Sequence, residues 1–122
     1  MTRTLTATCH CGAVELAITL EGELPKPGRC DCSFCRRRAA PNIGVPLDAL
    51  RIVRGAEHLT LYSWNTGTAK HYFCKTCGIY THHQRRSNPN EFGVNLGCIE
   101  GMNPADFEPI PWSDGVNHPS DR

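Results

Sequence analysis

The sequence holds few lysines, few aromatic residues and no long apolar run. Three lysines stand against ten arginines, and arginine's planar fork suits a bidentate grip on carboxylate or phosphate. The overall charge is close to neutral. Thirteen basic against 12 acidic side chains give +1 at pH 7, so no global field draws the chain to nucleic acid or to an anionic membrane. Aromatic residues make up 7%, which also weighs against general nucleic-acid affinity. No stretch reaches the length of a membrane span. The opening residues, MTRTLTATCH, lack the apolar run of a secretory leader. No amphipathic pattern of helical length appears anywhere, so the expectation is a mainly β fold with short helical turns.

Cysteine, by contrast, is abundant, with eight in 122 residues. Such a density fits either a secreted disulfide framework or a reduced chain whose thiols bind metal. With no secretory leader, the second reading is preferred and a cytoplasmic location is expected.

At this length one domain is expected over residues 1–122. Polar and apolar residues alternate from Thr4 to Thr8 and again through Val14, Leu16, Ile18 and Leu20, which reads as a strand pair around a turn. Further strands are expected at Ile43 to Leu47, Arg51 to Arg54, Leu59 to Trp64, Ala69 to Cys74 and Ile79 to His83. Another runs from Glu91 through Phe92, Val94 and Leu96 to Cys98. Asn65-Thr66-Gly67-Thr68 is a hairpin turn between two of them. Ser33 is placed to start a single helical turn running toward Ala39, stopped by Pro41. Residues 101–122, rich in Pro, Asn and Asp, show no periodicity and are read as an irregular C-terminal segment. The expected architecture is therefore a single small domain of antiparallel sheets with zinc knuckles.

Three cysteines, Cys30, Cys32 and Cys35, crowd into RCDCSFCRRR at Arg29 to Arg38. So tight a cluster cannot all be directed into a core by one strand or helix face, and thiolates are preferred ligands of zinc. A closed structural site uses four protein ligands, whereas three leave a position for water or substrate. His71, His82, His83, His118 and Cys98 are candidates to close it. Cys98 shares an alternating face with Phe92, Val94 and Leu96, which favours a buried structural thiol. His82 and His83 are adjacent in a strand and point to opposite faces. Cys9 and Cys11 find their natural partners in Cys74 and Cys77: a CxC and a CxxC knuckle, each followed by glycine, facing each other as a closed four-sulfur site. Such a site supplies on the order of 10 kcal/mol of apparent folding energy. His10 reads as a solvent-facing knuckle residue. Arg36, Arg37 and Arg38 read two ways, as a solvated turn or as forks that hold the carboxylates of an acidic substrate. Arg85 and Arg86 form a second cluster.

CHCGAVEL, CDCSFCRRR and HYFCKTCG in that order, followed by VNLGCIEG and WSDGVNHP, resemble the glutathione-dependent formaldehyde-activating enzyme family over nearly the whole chain. The resemblance implies a β-rich fold similar to that of a zinc-bearing Rab chaperone. It implies two Zn2+ per chain, a structural one on Cys9, Cys11, Cys74 and Cys77 and a catalytic-type one on Cys30, Cys32 and Cys35. It implies a carbon-sulfur lyase-type enzyme that joins glutathione, or another small-molecule thiol, to formaldehyde as S-hydroxymethylglutathione. In such an enzyme Arg36 to Arg38 would bind the peptide carboxylates and His71 or His118 would shuttle a proton. The chain departs from the family pattern in two places: His71 stands where members usually carry arginine, three residues before the CxxC, and the outgoing strand ends in an unusual His82-His83-Gln84-Arg85-Arg86. The competing expectation is a noncatalytic zinc module that binds a protein or nucleic-acid partner through Arg36 to Arg38, Arg85 and Arg86.

Overall fold

The computed structural model describes residues 2–118, and its sheets are almost entirely antiparallel. Strands β1 (Thr2–Thr8) and β2 (Glu15–Glu21) form the expected hairpin, paired from Thr2–Glu21 to Thr8–Glu15. The two-residue strand β3 (Arg29–Cys30) leads into the short helix α1 (Cys35–Arg38). Strands β4 (Asn42–Pro46) and β5 (Leu50–Arg54) follow, then β6 (Leu59–Tyr62), β7 (Lys70–Cys74), β8 (Tyr80–Gln84), β9 (Glu91–Asn95) and β10 (Trp112–Ser113). One sheet has the order β1-β2-β5 and the other β4-β9-β8-β7-β6.

The two sheets share one apolar core. Leu16 and Ile18 from the first meet Ile43, Val45 and Val94 from the second, with Leu96 and Ile99 completing the cluster. Each such side chain, fully withdrawn from water, contributes about 1.5–3 kcal/mol. The strict alternation in β2, with Leu16, Ile18 and Leu20 buried, is the period-two pattern of a half-buried strand.

The structure differs from the sequence expectations where polar chemistry interrupts an apolar pattern. The strand expected to run to Cys98 stops at Asn95, whose side chain accepts the Gly97 N–H and starts a 3-10 turn over Leu96–Cys98. Leu47 leaves its strand because Pro46 ends β4 and a 3-10 turn begins at Leu47. Ser33 does not cap α1; Phe34 occupies that position with no side-chain cap, and Ala39, in the left-handed region at φ 51°, ends the helix. Residues 101–118 are also more ordered than their composition suggests. They hold a 3-10 turn at Pro104–Phe107, and β10 lies parallel to β3, pairing Trp112 with Arg29 and Ser113 with Cys30. Residues 119–122 lie outside the described part. No helix among the described residues is long and apolar enough to cross a membrane.

Strand register gives the five-stranded sheet two distinct faces. Tyr72, His82, Val94 and Ile43 are directly paired across neighbouring strands and so share the core face. Tyr62, His71, His83, Gly93 and Gly44 form the row beside them on the opposite face. Phe34, at the start of α1, covers that row, its ring 4.4 Å from His71 and 5.2 Å from Tyr62.

Candidate metal centres and the adjoining cavity

Cys9 and Cys11 leave the end of β1, and Cys74 and Cys77 leave the end of β7, so the two knuckles bring the two sheets together. The glycines behind them, Gly12 and Gly78, take φ of 81° and 78°, a left-handed turn that a side chain resists. All four sulfurs lie within 4.8 Å of one another. Cys11 Sγ is 3.6 Å from Cys9 Sγ and 3.7 Å from Cys74 Sγ, and none of the four is in a disulfide. Backbone N–H groups turn toward the sulfurs: Val14 donates to Cys9 Sγ at 3.3 Å and Thr76 to Cys74 Sγ at 3.4 Å. Donors of this kind favour the thiolate form, and the Cys77 N–H is the chief reason that the Cys74 thiol lies below its ordinary range. Four crowded, hydrogen-bonded sulfurs are a donor set that fits a soft divalent cation.

The second cluster is built on β3 and α1. Cys30, Cys32 and Cys35 place their sulfurs within 4.8 Å of one another, and no further His, Cys, Asp or Glu ligand atom joins the group among the described residues. The Cys35 N–H donates to Cys32 Sγ at 3.2 Å, and Arg38 Nη2 approaches Cys35 Sγ at 3.8 Å. Hydrogen bonds from Cys30 and Cys35 hold the Cys32 thiol far below its usual range. The same contacts work the other way on the partners: Cys32 raises Cys30, and Cys30 chiefly raises Cys35. A second thiolate so close is disfavoured unless a cation joins the three, so this set also fits a thiophilic metal.

A cavity of about 260 Å³ opens on the three-cysteine cluster. Its walls include all three cysteines, His71 and His83 from the sheet row, Trp64 from the β6–β7 turn, Arg85 and Arg86 after β8, and residues 113–115 with His118 from the C-terminal segment. That segment is fastened by Asp31, whose carboxylate accepts the N–H groups of Gly115 at 2.8 Å and Val116 at 3.3 Å. His71 is only 4% exposed; burial, with Arg38 nearby, lowers its pKa to about 4. Burial also holds His83 well below the ordinary value, and Tyr80 Oη sits 2.6 Å from His83 Nδ1. Both histidines are therefore neutral near pH 7. Four polar side-chain atoms on this wall are sealed from water without a hydrogen-bond partner, His71 Nδ1, Trp64 Nε1, Arg85 Nε and Arg86 Nη1, and of the two guanidinium nitrogens only Arg85 Nε has a carboxylate at ion-pair distance.

The candidate residues distribute unevenly over this geometry. Cys30, Cys32, Cys35, His71, His83 and His118 share the cavity. His82 is on the core face, its ring stacked 4.7 Å from Tyr72. Cys98 is in the core, donating to the Tyr80 carbonyl at 3.5 Å, and burial pushes its thiol up to about 12. Arg36 and Arg37 are exposed and off the cavity wall, with Arg37 turned back to the Ser33 carbonyl. Arg38 lies 3.6 Å over the Tyr80 ring and 4.7 Å over Phe34. The arginines that reach the cavity are Arg85 and Arg86, a pair that the sequence marks only as a second cluster. Trp64 carried no sequence signal, and Asp31 and Gly115 were marked only by lying in the CDCSFCRRR and WSDGVNHP motifs.

The fold and the two clusters define a small β protein with two groups of cysteines able to hold metal ions. Residues 4–111 match the model of the family described as glutathione-dependent formaldehyde-activating enzyme, and the chain belongs to that family. A crystal structure of a Rhodobacter sphaeroides protein is similar to it, with 59% sequence identity and a TM-score of 0.85 over 88% of this chain and 99% of that one. Two fungal proteins that bear the family's name are more distant relatives. The Penicillium rubens protein is 28% identical over 76 residues, and the Emericella nidulans protein is 29% identical over 76 residues. Those segments cover 59% of this chain but only 39% and 38% of the fungal proteins.

Proposed function

We propose that this protein is a zinc-dependent, cytoplasmic enzyme of the carbon-sulfur lyase type that acts on a small thiol such as glutathione, with formaldehyde as the electrophile. The observation that carries the reading is the three-sulfur cluster on the wall of a cavity, with no fourth ligand atom in its group among the described residues. The four-sulfur cluster is read as structural and the pair of clusters as two zinc sites. Zinc held by Cys30, Cys32 and Cys35 would supply Lewis acidity that makes a substrate thiol acidic enough to react as thiolate.

The chain's own residues account for the rest. In the overall change the thiol S–H breaks, a carbon-sulfur bond forms, and the carbonyl electron pair moves to oxygen, which takes a proton. Because burial keeps His71 and His83 neutral, each can accept a proton near pH 7 and return it. His71, in direct line of the cavity, is the candidate to move it from sulfur to oxygen, with His118 as the other candidate. Tyr80, hydrogen-bonded to His83 Nδ1, fixes the orientation of that ring. Trp64, on the cavity wall, limits water around the reacting atoms, and Phe34 packs its ring against His71.

Exchange NMR on mixtures of formaldehyde and glutathione tests the reading. The metal-loaded protein is expected to speed interconversion with S-hydroxymethylglutathione above the uncatalysed background. No acceleration across a range of protein concentrations would remove this activity.

A further inference from the structure

We propose that Arg86 is the carboxylate receptor of this cavity and selects thiols that carry a carboxylate; the proposal rests on the thiol reading above for the identity of its ligand. The arginines assigned that role by sequence, Arg36, Arg37 and Arg38, are off the cavity wall, two of them exposed and the third laid over the Tyr80 ring. Arg85 reaches the wall but is already committed. Its Nε lies 3.3 Å from Glu91 Oε1, and its Nη2 donates to Asn42 Oδ1 at 2.7 Å.

Arg86 is on the wall and has no such partner. It lines the cavity, and no carboxylate lies within ion-pair distance of it among the described residues. Its Nη2 makes one long contact, 3.4 Å, to the Gly115 carbonyl, and its Nη1 is sealed from water with no partner. A guanidinium with an unsatisfied buried nitrogen and no counter-ion is costly unless an acceptor arrives. The acidic residue on the same wall does not fill that need, because Asp114 spends its carboxylate oxygens on the backbone and side-chain nitrogens of Asn117, at 3.2 and 2.8 Å. His71 Nδ1 and Trp64 Nε1 are likewise unpartnered on this wall. One bound carboxylate, with two oxygens and several lone pairs, can satisfy the guanidinium fork and a neighbouring N–H together. Since the three cysteines share the cavity, a single small molecule can present its carboxylate to Arg86 and its sulfur to the cluster.

Calorimetric titration of the zinc-loaded protein separates the two claims. The ligands are glutathione, its diethyl ester, which keeps the thiol but blocks both carboxylates, and ophthalmate, which keeps the carboxylates but has a methyl group in place of the thiol. Each is titrated into wild type, Arg86→Gln and Arg86→Lys, with zinc content and melting temperature recorded for every variant. Arg86→Gln is expected to weaken glutathione and ophthalmate by about ten-fold or more, the loss typical of a charge-assisted hydrogen bond, and to leave the ester unchanged. Arg86→Lys, which keeps the charge without the fork, should recover part of the loss. Unchanged glutathione and ophthalmate affinity in Arg86→Gln overturns the Arg86 role while leaving the thiol reading intact. Arg86-dependent binding of ophthalmate with no binding of the ester supports the carboxylate receptor and removes the thiol reading instead. If neither glutathione nor ophthalmate binds the wild type, the proposal fails.

Discussion

Gly115 lies so close to Cys30 that a Cβ at residue 115 would sit 2.4 Å from Cys30 Sγ and 2.7 Å from Cys32 Cβ. The C-terminal segment is thus a wall of the three-cysteine cluster, and hydrogen is the largest substituent its backbone can carry there. Both contacts involve proposed ligands, so nothing nearby is free to yield.

Gly115→Ala is therefore expected to displace either the segment or the sulfurs. Overpacking of this kind costs about 1–3 kcal/mol, enough to shift a melt by some degrees without unfolding the domain. Metal content should fall from the proposed two ions per chain toward one, with the fold retained by circular dichroism. Full retention of both ions and of cavity ligand binding would show that the segment is not part of the site.

Asp31→Ala tests the fastening of the same segment. The Asp31 carboxylate accepts two N–H groups at the start of the turn, and leaving the sheltered Gly115 donor unmet costs about 1–3 kcal/mol, while the exposed Val116 N–H turns to water. The loss should be local, because β10 pairs with β3 independently of that carboxylate. Amide exchange at Gly115 and Val116 is expected to accelerate by ten-fold or more on the scale of about 1.4 kcal/mol per decade, while core amides such as Val94 stay protected. Uniform acceleration through the core would assign Asp31 a global role instead.

These two residues mark the boundary of what the sequence discloses. The sheets were legible because Leu16, Ile18 and Leu20, or Ile43 and Val45, repeat at the strand period and their burial follows from it. The three-cysteine cluster and each knuckle of the four-cysteine cluster were legible because ligand spacing within them is local, and the two knuckles were matched because each lacked other partners. The wall of the cavity was not. Trp64, Arg86 and Gly115 come together only through tertiary contacts, and β10 is two residues long, too short for any periodicity to register. Of the three arginines expected to bind carboxylates, Arg36 and Arg37 follow the cysteines in sequence, yet the turn of α1 carries them to solvent. Arg85 and Arg86, about fifty positions further along the chain, arrive just after the end of β8.

The buried histidines give stability a predictable pH dependence. Burial lowers the pKa of His82 to about 4 and holds His83 and His71 low as well, against about 6.5 for an unfolded histidine. Between these values the unfolded chain binds protons that the native chain does not, so stability falls as pH drops from about 6.5 toward 4 and is insensitive to these groups above that window. Each group contributes a slope of up to about 1.4 kcal/mol per pH unit. His82 is the cleanest probe, since it faces Tyr72 and Phe92 on the core side. Denaturant unfolding at pH 7.5 and pH 5.5, with metal content checked at each pH, should show a smaller drop for His82→Phe than for wild type. An equal drop in both proteins would mean that the native fold does not lower the pKa of His82.

The two cysteine clusters are expected to fail differently. Cys77→Ser removes one of four sulfurs that tie the β1–β2 hairpin to the five-stranded sheet across more than sixty residues, where metal binding and folding are coupled. It should lower stability sharply and give insoluble or metal-depleted protein. Cys32→Ser removes one of three sulfurs on a turn whose flanking strand β3 is only two residues long and whose helix α1 buries no residue fully. Two remaining sulfurs hold zinc poorly, so one ion and the thiol-dependent activity should be lost while both sheets and their shared core persist. Melting curves and metal content of the two variants, measured side by side, decide the matter. If Cys32→Ser unfolds the domain as completely as Cys77→Ser, the three-cysteine cluster is a structural staple, and the cavity beside it loses its proposed metal chemistry.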